Sequence, residues 1–136
     1  MAGTRLIKVL LAEDNMLTRY TLRSVLRSYS DVEIVGEASD GREAVLRAED
    51  LQPAVVLIDV NMPKLDGIEA TRIIKAVSPH IVVIGLSVHT DCYFIDKMLK
   101  AGAVEVLQKE QAVEKLYSAI KRALPDRIES AKETLT

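Results

Sequence analysis

The chain has one cysteine, Cys92, no tryptophan, one phenylalanine and two histidines in 136 residues. A lone cysteine cannot form an internal disulfide, so packing must hold the fold, and a reducing cytoplasm is the expected setting. His80 and His89 are separated by a whole apolar run, so they do not make a metal pair. Neither sign of charge dominates: 18 basic residues against 20 acidic ones give a net charge of −2, which suggests no nucleic-acid surface. The only N-terminal apolar run is short, begins after Arg5 and is interrupted by Lys8, so neither a signal peptide nor a membrane span is read there. Glycines at 36, 41, 67, 85 and 102 form neither Gly-x-Gly-x-x-Gly nor a P-loop, which excludes a dinucleotide-binding module on that signature. The sequence also shows no low-complexity tract.

Apolar material is plentiful, at 49%, and its order is informative. Runs such as Val55-Val56-Leu57-Ile58 and Ile81-Val82-Val83-Ile84 are continuously apolar, as expected of strands buried on both faces of a parallel sheet. Between the runs the period changes to that of a helix. Leu22, Val25, Leu26 and Tyr29 follow i, i+3, i+4, i+7, as do Ala70, Ile73, Ile74 and Val77, and Val113, Leu116, Tyr117 and Ile120. Ala44, Val45, Ala48 and Leu51 mark a shorter second helix, and Phe94, Ile95, Met98 and Leu99 a fourth. Asn15, Asp40, Asp66 and Thr90 stand where helix N-caps are needed, and Pro53, Ser78-Pro79, Gly102 and Pro125 follow the apolar stripes as stops. Five strand-helix units therefore fill residues 6 to 124 in one doubly wound α/β domain, and residues 125–136 read as a polar tail or the start of a linker.

Four polar positions follow strand runs: Glu13-Asp14 after Ile7 to Ala12, Asp59 after Ala54 to Ile58, Ser87 after Ile81 to Leu86, and Lys109 after Val104 to Leu107. In an open parallel sheet the ligand crevice lies outside the carboxyl ends of the strands, so these side chains converge. Three carboxylates in one crevice require a proton or a cation between them. An all-oxygen set suits Mg²⁺, beside which a carboxylate such as Asp59 can attack a phosphoryl group. Lys109 is then placed to neutralise phosphoryl oxygens and Ser87 to donate to one of them. Each residue also has a structural reading. Glu13-Asp14 could be an acidic pair favoured by a helix dipole, Ser87 a turn residue and Lys109 a solvated strand-end cation. Asp66 reads as a helix cap, Gly67 as loop geometry and Cys92 as an ordinary helix residue. His89, two residues past Ser87, is placed within reach of the mouth of the site.

Together these residues resemble the receiver domains of two-component response regulators. Val9-Leu10-Leu11-Ala12-Glu13-Asp14-Asn15 is similar to that family's first strand and acidic pair, and Leu57-Ile58-Asp59-Val60-Asn61-Met62-Pro63 with Leu65-Asp66-Gly67 to its phosphoacceptor strand and loop. Ser87 occupies its Ser/Thr switch position, and Ala101-Gly102-Ala103 with Leu107-Gln108-Lys109 resembles its fifth-strand signature. Val35-Gly36-Glu37-Ala38-Ser39-Asp40-Gly41 and Gly67-Ile68-Glu69-Ala70 resemble the NarL/FixJ subclass. The resemblance implies a flavodoxin-like sheet of strand order 2-1-3-4-5 and a receiver domain over residues 1–124. It implies that Asp59 takes a phosphoryl group from a phosphohistidine of a sensor histidine kinase or histidine phosphotransfer protein. Mg²⁺ would be held by Asp14, Asp59, the carbonyl of Asn61 and, through water, Glu13. Such a domain is a signalling module, catalysing its own phosphotransfer and autodephosphorylation, and it homodimerises on phosphorylation. A stand-alone receiver and the amino-terminal half of a transcription factor look alike up to residue 124; the NarL/FixJ resemblance favours transcription as the output, through a C-terminal DNA-binding domain absent from this chain.

Three positions depart from the family pattern. Val106 stands where many receivers carry Tyr or Phe, Val88 where smaller residues are common, and Glu110 where many have Pro. The first removes the aromatic whose reorientation reports the switch, the second narrows access to the phosphoryl group, and the third leaves a trans peptide expected. A haloacid-dehalogenase-type phosphatase also wants Asp, Mg²⁺, Ser/Thr and Lys, but needs a second acid two residues after the nucleophile, where this chain has Asn61, and a cap insertion it lacks.

Overall fold

A computed structural model describes residues 6–88 and 92–124. Thr90, His89, Pro125 and the 125–136 tail, all singled out above, lie outside the described residues. Strands and helices alternate along the chain: β1 (Ile7–Ala12), α1 (Met16–Arg27), β2 (Val32–Ala38), α2 (Gly41–Leu51), β3 (Val55–Asp59), α3 (Gly67–Val77), β4 (Val82–Ser87), α4 (Cys92–Ala101), β5 (Glu105–Gln108) and α5 (Lys109–Ala123). All neighbouring strands are parallel, in the order β2-β1-β3-β4-β5.

The continuous apolar runs bury both faces of the sheet, as the sequence requires. Val9, Leu11, Val55 and Leu57 point into one layer with Leu22 and Leu26 of α1 and Leu116 and Ile120 of α5. Leu10, Ala12, Val56 and Ile58 point into the other, against α2, α3 and α4. Successive side chains on one strand thus serve opposite cores, which is why no polar position interrupts β3 before Asp59.

Three of the expected caps form. The side chains of Asn15, Asp40 and Asp66 accept from the backbone N–H groups of Thr18, Glu43 and Glu69 at 2.9, 2.8 and 2.8 Å. Gly102, with φ of +123°, ends α4 in the left-handed region that stop glycines adopt. Among the described residues no peptide bond is cis.

The helix stripes differ in detail from their expected phase. In α5 the buried residues are Ala112, Leu116, Ala119 and Ile120, and Val113 is exposed. Alanines let α5 lie close to the sheet, so the stripe turns by about one position. Val77 and Leu99 are likewise exposed at the ends of their helices. Tyr29 lies beyond the end of α1 and stacks on Tyr117, ring centroids 3.8 Å apart.

Gly67 opens α3 for a reason of space. A Cβ there would stand 2.0 Å from the carbonyl oxygen of Asp59, a backbone atom that cannot swing aside. At Gly85 the nearest obstacle, at 2.7 Å, is instead the terminal methyl of Met98. Gly67→Ala should therefore lower the unfolding free energy by roughly 2 kcal/mol or more, and Gly85→Ala by distinctly less. Urea denaturation of the two variants checks the order; equal losses would refute it.

Candidate functional site

β1 and β3 are direct neighbours, paired from Val9–Val55 to Ala12–Ile58. The chain emerging from β1 carries Glu13 and Asp14, and β3 ends on Asp59. β1 also separates β2 from β3, so the strand order reverses here and the crevice opens where the carboxylates stand. Glu13 has no exposed surface and Asp59 is 3% exposed, whereas Asp14 faces solvent. One carboxylate oxygen from each of the three lies within 4.8 Å of the others.

Lys109, the first residue of α5, reaches this cluster from the β5 side. Its Nζ lies 2.8 Å from Asp59 Oδ2 and 2.9 and 3.1 Å from Glu13 Oε1 and Oε2. Only the Oε2 contact on Glu13 has hydrogen-bond geometry, so buried Oε1 is near the ammonium yet without a hydrogen-bond partner. Two backbone amides complete the inner surroundings: Asn61 N–H donates to Asp59 Oδ1 at 3.1 Å, and Asn15 N–H to Glu13 Oε2 at 3.1 Å.

Burial pushes the Glu13 and Asp59 carboxyls above the ordinary range, more strongly than the hydrogen bonds from Lys109 and the amides pull them down. For Lys109 burial acts to lower the pKa, but the hydrogen bonds and charges of Asp59 and Glu13 together outweigh it and hold the ammonium above its usual value. Two buried carboxylates and an exposed third face a single ammonium, leaving negative charge uncompensated. An all-oxygen donor set with one orphaned buried oxygen fits a hard divalent cation such as Mg²⁺.

Ser87, 1% exposed, closes β4 beside β3 and is paired in register with Gln108, the residue before Lys109. The four strand-end positions expected to converge thus lie at one end of the sheet. Glu13, Asp14, Asp59 and Lys109 meet through side chains, and Asn61 joins through its backbone. His80 stands elsewhere, on Gln52 at 2.7 Å. Cys92 is a free, exposed thiol at the start of α4. Arg19 and Glu37 were not expected at the site. Arg19 Nη1 donates to the Glu13 carbonyl at 2.6 Å, a contact with main chain for which the sequence carries no signal.

The family model of the response regulator receiver domain matches residues 9–121. The transcriptional regulatory protein DegU of Brevibacillus brevis is 36% identical over 115 residues, covering 85% of this chain and 49% of DegU. A protein-glutamate methylesterase/protein-glutamine glutaminase of Myxococcus xanthus is 38% identical over 129 residues, covering 93% of this chain and 36% of that protein. The signal receiver domain of the response regulator NarL from Mycobacterium tuberculosis superposes with a TM-score of 0.83 at 26% identity, over 86% of this chain and 94% of that one. The chain spans about half the length of DegU, and about a third of the methylesterase.

Charge repulsion at the cluster predicts a stability effect. Asp59→Asn removes one buried charge and keeps one oxygen, which can accept from Lys109 or from the Asn61 amide in place of the two acceptors of the carboxylate, so the relief of repulsion should leave the metal-free protein more stable by roughly 1 kcal/mol. Because the folded-state pKa of Asp59 is raised, its penalty is full above that pKa and vanishes as pH falls below the unfolded value. The gap between variant and wild type should therefore narrow on acidification from neutral pH. Urea midpoints measured over that pH range check this; a variant less stable than wild type at neutral pH would sink it.

Proposed function

Because the chain belongs to the receiver domain family of two-component response regulators, and to its NarL/FixJ-like members, we propose that Asp59 is its phosphoacceptor. The observation that carries this reading is the Asp59 carboxylate itself. It is buried at a strand end, with Oδ2 on the Lys109 ammonium and Oδ1 on the Asn61 amide, in a cluster whose negative charge exceeds its fixed positive charge.

In this reading an Asp59 oxygen attacks the phosphorus of a phosphohistidine on a sensor histidine kinase or histidine phosphotransfer protein. The P–N bond breaks and the imidazole leaves with its electron pair. Asp14, Asp59 and the Asn61 carbonyl would hold Mg²⁺, with Glu13 acting through water, and the ion would neutralise phosphoryl oxygens as charge builds on them. Lys109, already on Asp59, supplies a fixed cation to phosphoryl oxygens, and the Ser87 hydroxyl a short donor. Little covalent work is left to the protein beyond this placement, so positioning and electrostatics carry the rate. Attack by water later returns the carboxylate, which makes the domain its own phosphatase.

The outer surface of the site supports a helical partner. Met16 and Leu17 are each 74% exposed and Tyr20 57%, on the first turns of α1 beside the acidic pair, where a kinase or phosphotransfer helix would dock. Homodimerisation on phosphorylation and a cytoplasmic location belong to the same reading. The output in this reading is transcription through a C-terminal DNA-binding domain outside this chain, on the pattern of a transcriptional regulator such as DegU; a stand-alone receiver and, as in the methylesterase relative, an enzymatic effector are the alternatives. The length of the open reading frame, and whatever it encodes besides this chain, distinguishes them.

Incubation with acetyl phosphate and Mg²⁺, followed by peptide mass spectrometry, should place one phosphoryl group on Asp59. Asp59→Asn and Asp14→Ala should abolish it, and Glu13→Gln should weaken Mg²⁺ dependence less. Modification that persists in Asp59→Asn would falsify the assignment.

With Val106 stiff at χ1 and lying beside Gly85, no aromatic is available in β5 to change position. Addition of beryllofluoride and Mg²⁺ should therefore shift the amide resonances of Ser87 and Val88 more than those of Glu105 to Leu107; the reverse order would count against this coupling.

A further inference from the structure

The peptide group leaving Glu13 is held from outside the site. Its carbonyl, that of Glu13, accepts from Arg19 Nη1 at 2.6 Å, while the peptide before it is tied to β2 by the Glu13 N–H, which donates to the carbonyl of Ala38 at 2.9 Å. Arg19 turns its other edge to Glu37, with Nε 3.1 Å from Oε1, and Arg23 Nη1 donates to both Glu37 oxygens at 2.8 and 2.7 Å. Glu37 is itself fixed in β2, paired in register with Leu11 of β1. A continuous path therefore runs from the sheet through Glu37 and Arg19 to the bond joining Glu13 to Asp14. Arg19 and Arg23 lie one turn apart on α1, and both are largely covered, at 19% and 26% exposed.

That peptide is the hinge between the buried acid and the exposed one. Its carbonyl belongs to Glu13 and its N–H to Asp14, so its rotation moves the Asp14 carboxylate relative to Asp59. Glu13 is fixed already by Lys109 and the Asn15 amide, but among the described residues the Asp14 side chain makes no hydrogen bond or ion pair. Arg19 reaches its two acceptors through different nitrogens of one rigid plane, Nη1 on the Glu13 carbonyl and Nε on Glu37, so each contact fixes the direction of the other.

We propose that Arg19 is a positioning residue: by clamping the Glu13 carbonyl against Glu37 it presets Asp14 and Glu13 for the cation that they share with Asp59. The proposal rests on reading the acidic cluster as a Mg²⁺ site. Arg19 touches neither ion nor phosphoryl group; without it the loop must be ordered at the moment of binding, at the expense of affinity.

Calorimetric titration with MgCl₂, together with acetyl phosphate phosphorylation rates over a range of Mg²⁺ concentrations, tests it on the full chain. Arg19→Ala should raise the Mg²⁺ dissociation constant about tenfold, the lower end of the loss typical for groups that orient metal ligands. Saturating Mg²⁺ should restore its rate towards the wild-type value, a split that a general loss of folded protein would not produce. Arg19→Lys should fall between the two, and Glu37→Gln, which leaves Arg23 a partner, should move in the same direction by less. If Arg19→Ala does not fold by circular dichroism, the latter two variants decide. Wild-type Mg²⁺ affinity in Arg19→Lys and Glu37→Gln, or a reduced rate in Arg19→Ala with unchanged Mg²⁺ dependence, would overturn the proposal. A wild type that binds no Mg²⁺ overturns the metal reading and this proposal with it, whereas a wild type that binds Mg²⁺ beside an unaffected Arg19→Ala overturns the proposal alone.

Discussion

One ammonium shared by two buried carboxylates is the interaction on which the rest of this structure turns. Lys109 Nζ stands within 3.1 Å of both Glu13 and Asp59, residues that come from different strands and have almost no contact with water. Its position is locally unfavourable. A cation at the first residue of a helix faces the positive end of the helix dipole, and Gln108 provides no side-chain cap to α5. Only the carboxylates opposite justify it, and they in turn would repel each other without it. Such mutual dependence, with each local rule broken on behalf of another, is typical of a functional site and untypical of a core.

The sheet makes that arrangement possible. Its inner strands are buried on both faces by alternating side chains, so they are rigid up to their last residue, and the polar groups begin only where the apolar run stops. The glycines act where backbone must touch backbone: α3 starts against the carbonyl of Asp59, and α2 starts against the carbonyl of Leu65. Those contacts set the loop after β3, and with it the Asn61 amide that reaches Asp59 Oδ1.

Strand ends and helix starts were legible in the sequence because each is signalled locally. An acid after four apolar residues marks the end of β3, and Asn15, Asp40 and Asp66 announce their helices by the hydrogen bonds that only short polar side chains can make at a cap. Helix phase was less legible. Ala112 and Ala119 carry little hydrophobic signal, yet their small size lets α5 approach the sheet and leaves Val113 outside. Tyr29 kept the helical period after α1 had ended, and found its partner in Tyr117, 88 positions away. The left-handed turn at Gln52 had no glycine to announce it. Arg19 was out of reach for a different reason: its target is a backbone carbonyl, which has no identity in a sequence.

The compliance of the crevice is lopsided. On the α2 side the loop after β3 abuts main chain, since a single methyl at Gly41 would stand 1.8 Å from the Leu65 carbonyl oxygen. On the β4 side the nearest boundary of Gly85 is the end of a side chain, the Met98 methyl at 2.7 Å, which an unbranched chain can swing aside at little expense, while the two methyls of the stiffer Val106 stand back at 3.4 and 3.7 Å. The boundary of the crevice is therefore main chain where α2 starts and side chain where β4 meets α4.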